Sequence, residues 1–392
     1  MNPAFSHIVP SLIRAVNGRK RPGDIDLGMG EPVLPIDMAP LEASLAWARK
    51  YGCPYSPNPG YMELREQIIQ YYRYPYHAHA QQVCVTVGSE EALYLALRLA
   101  IDPGSEELLI VEPAYPAYDK ICLIEKIPHR IVSLDPATGF APSAQVVLEA
   151  LRPETRAILL CSPCNPTGRS WPKVELELLA RALLERPGPP VQVLWDEVYR
   201  EIYFSDAPPT SMAELYPHTW VMNSLSKSHA LTGMRIGWLM APAGCLEGAL
   251  PLHHLSVTSA PTLSQRVAIE LFNKPESFRA HRREYLIRQQ VMEATLEEVE
   301  LHALPMEGSF YAFLKIEGVG AQDSVRAAFG LIDQAHVVTV PGRAFGACAE
   351  GWLRVSYVAQ PSFLWEGLRR IKRGMEQLKL EQIQLDDLAG DR

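Results

Sequence analysis

Apolar residues are grouped along the chain in two ways. Val83-Cys-Val-Thr-Val87, Leu108-Leu-Ile-Val111, Ala157-Ile-Leu-Leu160 and Val191-Gln-Val-Leu-Trp195 are short, nearly unbroken runs that stop at a polar or turn residue, the pattern of strands buried on both faces. Between several of them the spacing is helical, as from Pro40 to Tyr51, from Met62 to Tyr72 with Leu64, Ile68 and Ile69 on one side, and from Ala92 to Ala100. Strands alternating with helices predict a large three-layer α/β domain around a mostly parallel sheet, with its chemistry at the strand ends.

The pattern then changes. A Pro/Gly-rich loop is expected after Trp238, a helix from Leu263 to Phe272, and a long polar helix from about Glu276 to Glu300 that carries the domain boundary. Beyond it, strands at Phe310 to Ile316, Val337 to Val340 and Trp352 to Val358, with helices at Ser324 to Gln334 and Phe363 to Leu378, predict a smaller α+β domain. The expected division is 41–285 for the large domain and 286–392 for the small one, which the segment 1–40 joins. That segment holds a short helix around Ser11 to Val16 and a strand end running into Gly30-Glu-Pro32; the polar tail from Glu381 is expected to be loose.

Composition narrows the partners. Lys+Arg 37 against Asp+Glu 45 gives a net charge of -8, which argues against nucleic acid or an anionic membrane. No apolar run is long enough to span a bilayer and no apolar signal segment opens the chain, so a cytoplasmic location is expected. Arg14, Arg19, Lys20 and Arg21 precede the first acid, Asp24, but Pro10, Gly18 and Pro22 interrupt any amphipathic transit helix. Seven cysteines, an odd number, fit free thiols in a reducing compartment. Cys161-Ser-Pro-Cys164 has no second pair or histidine cluster, so no metal is expected.

Candidate chemistry centres on Ser224-Leu-Ser-Lys227, followed by Thr232-Gly-Met-Arg235-Ile-Gly237-Trp238. A desolvated lysine near cations is a nucleophilic amine, while Ser224, Ser226 and Arg235 can hold a dianion. Together they suggest a carbonyl cofactor that carries a phosphate, pyridoxal phosphate, bound to Lys227 as a Schiff base. Gly88-Ser89-Glu90 joins a strand to a helix, aiming backbone N–H groups at an anion. Asp196 ends a buried strand, where a carboxylate needs a cation such as a pyridinium; Tyr199 lies one turn on, and Asn165 can bond the ring oxygen. Each has an ordinary alternative: a Ser/Lys surface turn, a helix cap at Asp196, a core tyrosine, a turn at Asn165-Pro. Their joint occurrence, in this order, favours the cofactor.

Asn165-Pro-Thr-Gly168, Asp196-Glu-Val-Tyr199 and the Ser224 to Trp238 stretch resemble the signature of class I/II aminotransferases, the fold type I pyridoxal phosphate family. The resemblance extends from Gly30-Glu-Pro32 through Tyr55 and Thr86 to Glu90 as far as Arg354. It implies that Lys227 bears the cofactor and then shuttles the substrate proton, Asp196 pairs with the pyridinium, and Tyr199 and Asn165 bond the ring oxygen. It further implies that Tyr115 stacks on the ring and that Gly88, Ser89, Glu90, Ser224, Ser226 and Arg235 surround the phosphate. Tyr55 would reach the phosphate of a neighbouring subunit in a homodimer with shared sites. Arg354 would clamp the substrate carboxylate beside Gly30 and Asn165. The implied reaction moves an amino group between an L-amino acid and a 2-oxo acid.

The donor stays open. Where dicarboxylate-specific relatives place an arginine, this chain has His253-His254-Leu255, and where some carry a lysine it has Glu90. Glu90 could favour cationic or polar side chains or merely complement the helix dipole; Arg343 pulls the other way, and Tyr55, Phe310 and Tyr311 leave apolar donors open. Other fold type I reactions, such as carbon-sulfur lyase, Cγ-elimination or cyclising chemistry, would use the same lysine, aspartate and tyrosine. A non-catalytic ligand-binding domain is the third reading, without a DNA-binding extension to accompany it.

Overall fold

A computed structural model describes residues 11–317 and 323–390, with side chains through residue 379. Its strands are β1 Ile25–Asp26, β2 Val83–Thr86, β3 Glu107–Glu112, β4 His129–Ser133, β5 Thr155–Cys161, β6 Gln192–Asp196, β7 Thr219–Ser224, β8 Gly237–Met240, β9 Tyr311–Lys315, β10 Val337–Val338, β11 Val340–Pro341 and β12 Trp352–Ser356. Seven form one sheet in the order β2-β8-β7-β6-β5-β3-β4, in which only β8 runs against the others. Alternate residues face opposite layers: Leu108, Ile110, Leu159 and Leu194 pack under one set of helices, and Leu109, Ile158, Leu160, Val193 and Trp195 under the other. Burial on both faces is why these runs carry almost no polar residue.

The register decides where chemistry can collect. Cys161 pairs with Asp196, Ser224 with Gly237, and Thr86 with Gly237, so the ends of β2, β5, β6 and β7 and the start of β8 lie along one edge. A three-stranded antiparallel sheet, β11-β12-β9, stands beside it, and β1 pairs with β10 in parallel. Ile25 and Leu27 thereby pack with Leu314, Leu331, Leu353 and Leu364, in a core that meets the large sheet at Cys161, the end of β5.

Three expectations are corrected. The stretch after Trp238 is not all loop: Leu246–Val257 is a helix containing Pro251, and burial of Leu246 and Ala249 against the helix Ser89–Leu99 outweighs the hydrogen bond that proline forfeits. The run Val337 to Val340 splits, its halves pairing with β1 and β12. The last helix continues from Pro361 to Gly390 where a loose tail was expected from Glu381. Among the described residues no helix is long and apolar enough to cross a membrane.

Candidate active site

Asp196 closes β6 at that common edge. Tyr118 Oη donates to its Oδ2 at 2.6 Å and the Val198 N–H to its Oδ1 at 3.2 Å. No cation pairs with it among the described residues, and burial pushes its carboxyl up to about 6. The next residue faces away: Glu197 accepts hydrogen bonds from Tyr74, Trp195 and Ser211 in a buried network near Arg200. Of two adjacent acids, Glu197 accepts from three side chains and Asp196 from one side chain and one backbone N–H.

Lys227 sits in the one-turn helix Leu225–Ser228, which Ser224 caps by accepting from the Ser226 N–H. Its Nζ donates to the Gly30 carbonyl at 2.8 Å. Burial, then the nearby Arg354, bring its ammonium down to about 8, opposed by Glu31, with weaker contributions from Arg235 downward and Glu90 upward. A neutral amine is therefore accessible near neutral pH.

Arg354 is 2% exposed in β12. Its guanidinium donates to Asn165 Oδ1 at 2.9 Å and to the Gly28 carbonyl at 2.7 Å, and lies 4.3 Å from the Tyr311 ring centroid. Nε has no partner, and no carboxylate pairs with the group among the described residues. Tyr311 joins these parts, since its hydroxyl is also 3.3 Å from that of Tyr199. Burial, then Tyr311, keep the Tyr199 hydroxyl protonated well above the usual range. A Cβ on Gly30 would come within 1.9 Å of the Tyr311 hydroxyl, but 3.0 Å from the ring carbon that bears it. Gly30→Ala is expected to cost about 1–3 kcal/mol of stability, and Tyr311→Phe in the same chain to restore part of it; thermal melting of the two variants checks this.

A cup lies at the start of the helix Ser89–Leu99. Gly88 precedes it with φ 77°, and a Cβ there would strike Arg235 Nη2 at 2.6 Å. A Cβ on Gly237 would lie 2.6 Å from the Ser89 nitrogen. Both glycines keep backbone and guanidinium close, and among the described residues the Arg235 guanidinium hydrogen-bonds only to carbonyls, those of Thr232 and Val87. Ser224, Ser226, Ser89 and Arg235 thus surround a helix N-terminus suited to an anion. The Tyr115 ring packs edge-on against Tyr118, 5.7 Å between centroids, and burial followed by the Glu90 charge raises its hydroxyl pKa.

Not every candidate joins this group. Tyr55 is 84% exposed on a loop. Arg343 is exposed, with its charge felt at Glu112 and Glu350. His253 is buried, its Nδ1 2.9 Å from Glu91 Oε1, beneath the anion cup and apart from the Arg354 end. Glu91 also accepts from the Val87 N–H. The roles of Tyr118 and Gly28 were missed: Tyr118 lies in the first turn of the helix Ala117–Glu125 just after Tyr115, its N–H bonded to the Tyr115 carbonyl at 3.1 Å, whereas nothing local marks Gly28, which meets Arg354 across 326 residues.

Among the described residues, a buried lysine with a lowered pKa, a buried acid without a cation and a buried arginine without an acid thus stand together with the Gly88 to Arg235 cup. Comparison with known proteins gives the family. Residues 25–364 match the model for aminotransferase class I and II. The aspartate aminotransferase of Pyrococcus horikoshii is 30% identical over 359 residues, 90% of this chain and 90% of that one. Aromatic-amino-acid aminotransferase 2 of Thermococcus litoralis is 30% identical over 367 residues, 91% of this chain and 93% of that one. The solved Thermus thermophilus aspartate aminotransferase with maleate superposes with a TM-score of 0.87 at 29% identity, covering 95% of this chain and 99% of that one. The chain belongs to the class I and II aminotransferases, with the fold type I architecture, and is an enzyme of amino-group transfer.

Proposed function

We propose that this aminotransferase holds pyridoxal phosphate on Lys227 and moves an amino group between an L-amino acid and a 2-oxo acid in two half-reactions. The observation that carries the reading is the pair of unmatched buried charges, Asp196 and Arg354, on a site with Lys227: such charges are costly unless a ligand completes them. A cofactor with a cationic ring nitrogen fits Asp196, its phosphate fits the Gly88 to Arg235 cup, and a substrate carboxylate fits Arg354. When bound, that cofactor supplies an electrophilic carbon and an electron-withdrawing ring. Lys227 Nζ would take the proton from the substrate Cα and carry it over to the cofactor side, Tyr199 and Asn165 would donate towards the ring oxygen, Tyr115 would cover the ring face, and Arg354 with Gly30 and Asn165 would orient the substrate. Arg354→Leu is expected to lower kcat/KM by roughly 30- to 1,000-fold, about 2–4 kcal/mol, mostly through KM. A visible spectrum recorded while an amino donor alone is titrated in tests the whole reading. Conversion of the bound cofactor to its amine form supports transfer, and an unchanged or absent absorption band sinks it.

The relatives' names include aspartate and aromatic amino acids at 30% identity and N-acetyl-LL-diaminopimelate at 34%, so the donor must be argued from this chain. Glu91 performs the helix-start bonding, which leaves the exposed Glu90 carboxylate without a hydrogen bond or ion pair among the described residues. Its charge is felt at Lys227, Asp196 and Tyr115. We therefore assign Glu90 a bias against acidic donor side chains. Glu90→Lys is expected to raise the rate with glutamate relative to ornithine about tenfold, or about 1.4 kcal/mol; equal rates with ornithine, leucine and glutamate before substitution would remove the idea.

A homodimer accompanies this reading. The Tyr55 loop is pinned by Ser56 to the Ala260 carbonyl and by Asn58 to the Thr258 carbonyl, yet presents Tyr55 outward near Leu255, 83% exposed. A fixed loop with bare apolar side chains is suited to burial by a second copy, where Tyr55 would reach that copy's phosphate. Free thiols at all seven cysteines support a cytoplasmic setting.

A further inference from the structure

The long helix Glu276–Glu298 touches the Lys227 turn at two places. That turn, Leu225–Ser228, is too short to hold its shape alone. It ends at His229, whose N–H bonds the Leu225 carbonyl at 3.1 Å. The His229 ring is buried, with Nδ1 3.0 Å from Ser228 Oγ and Nε2 3.1 Å from Ser277 Oγ, and it stands edge-on to Phe278 at 4.2 Å. Ser277 and Phe278 belong to the first turn of the long helix. Two turns on, Tyr285 Oη donates to the Lys227 carbonyl at 2.9 Å, and its ring stacks on Phe310 at 5.6 Å. Phe310 in turn lies 5.9 Å from Lys227 Nζ and packs against Tyr311, which carries Arg354.

We propose that His229 is a positioning residue for Lys227, bridging Ser228 to Ser277 so that the long helix fixes the direction in which the amine points. This rests on Lys227 being the cofactor-bearing residue. Burial, then the neighbouring His281, push the His229 imidazolium down to about 3. The bridge is accordingly uncharged at working pH and adds no repulsion beside the amine. A neutral ring donates through one nitrogen and accepts through the other, which two serine hydroxyls can match in either sense.

The test uses the full-length chain. Loading with pyridoxal phosphate, borohydride reduction and peptide mapping must place the adduct on Lys227; its absence overturns both the underlying reading and this inference. With the adduct present, cofactor-free protein is labelled with acetic anhydride across pH to obtain the apparent pKa of Lys227 in Ser277→Ala, His229→Phe and His229→Gln. The first two are expected to move that midpoint by on the order of half a unit and to slow cofactor loading about tenfold. Combining them should add little, because they break one bridge. His229→Gln, whose amide reaches as far as Nε2, should restore the unaltered values. Ser277→Ala deletes a single hydroxyl outside the turn and so reports even where the ring substitution unfolds the chain. Unchanged midpoints and loading rates alongside lower melting temperatures would show His229 to be structural only and overturn the proposal.

Discussion

Lys227→Ala is expected to lower turnover on the order of 10⁴-fold, because the proposed function gives one side chain both the covalent attachment and the proton transfer at the substrate Cα. The fold should not suffer, since the variant removes an amine whose burial is unfavourable in the charged form. Steady-state rates with melting curves check both halves, and added methylamine should restore part of the activity if the missing function is proton transfer. Full turnover in the variant would falsify the assignment.

Asp196→Asn should separate stability from catalysis. The carboxyl is raised from its ordinary 3.8 to about 6 in the folded chain, so burying the carboxylate form costs stability that is absent below about pH 4 and fully present above about pH 6. The rise of roughly two units corresponds to at most about 3 kcal/mol. The cofactor-free variant should therefore be more stable by about 1–3 kcal/mol near pH 8 and gain nothing near pH 4, while turnover falls roughly 10²–10³-fold for want of a charge opposite the ring nitrogen. Denaturant titrations of the cofactor-free proteins at the two pH values decide. Equal stability changes at both, or undiminished turnover, would contradict the role given to Asp196.

How far the sequence could be read depended on burial. Strands β2, β3, β5 and β6 stand out because both faces are covered, whereas β4 is an edge strand with half-exposed residues and carries no such run. Strands β7 and β8 flank the lysine turn, and Asn223 and Ser224 disguise the first of them. Pro251 and Gly248 hid a helix whose apolar residues were nonetheless buried. Asp196 stood out as a candidate because it directly ends a buried run, and Lys227 because it stands among serines with Arg235 eight positions on. Gly28 and Tyr118 did not, because they act through a carbonyl or a hydroxyl brought in by tertiary contact.

The Gly28 contact also bears on how the enzyme is made. Arg354 rests on a carbonyl 326 residues earlier, and Lys227 on one 197 residues earlier. During synthesis the large sheet can close as soon as β8 has emerged, but the Arg354 end of the pocket has to wait for β12. A ribosome-stalled chain ending shortly before Trp352 is thus expected to show the protease resistance of the large sheet while lacking its carboxylate grip, so folding and competence are reached at different moments of translation.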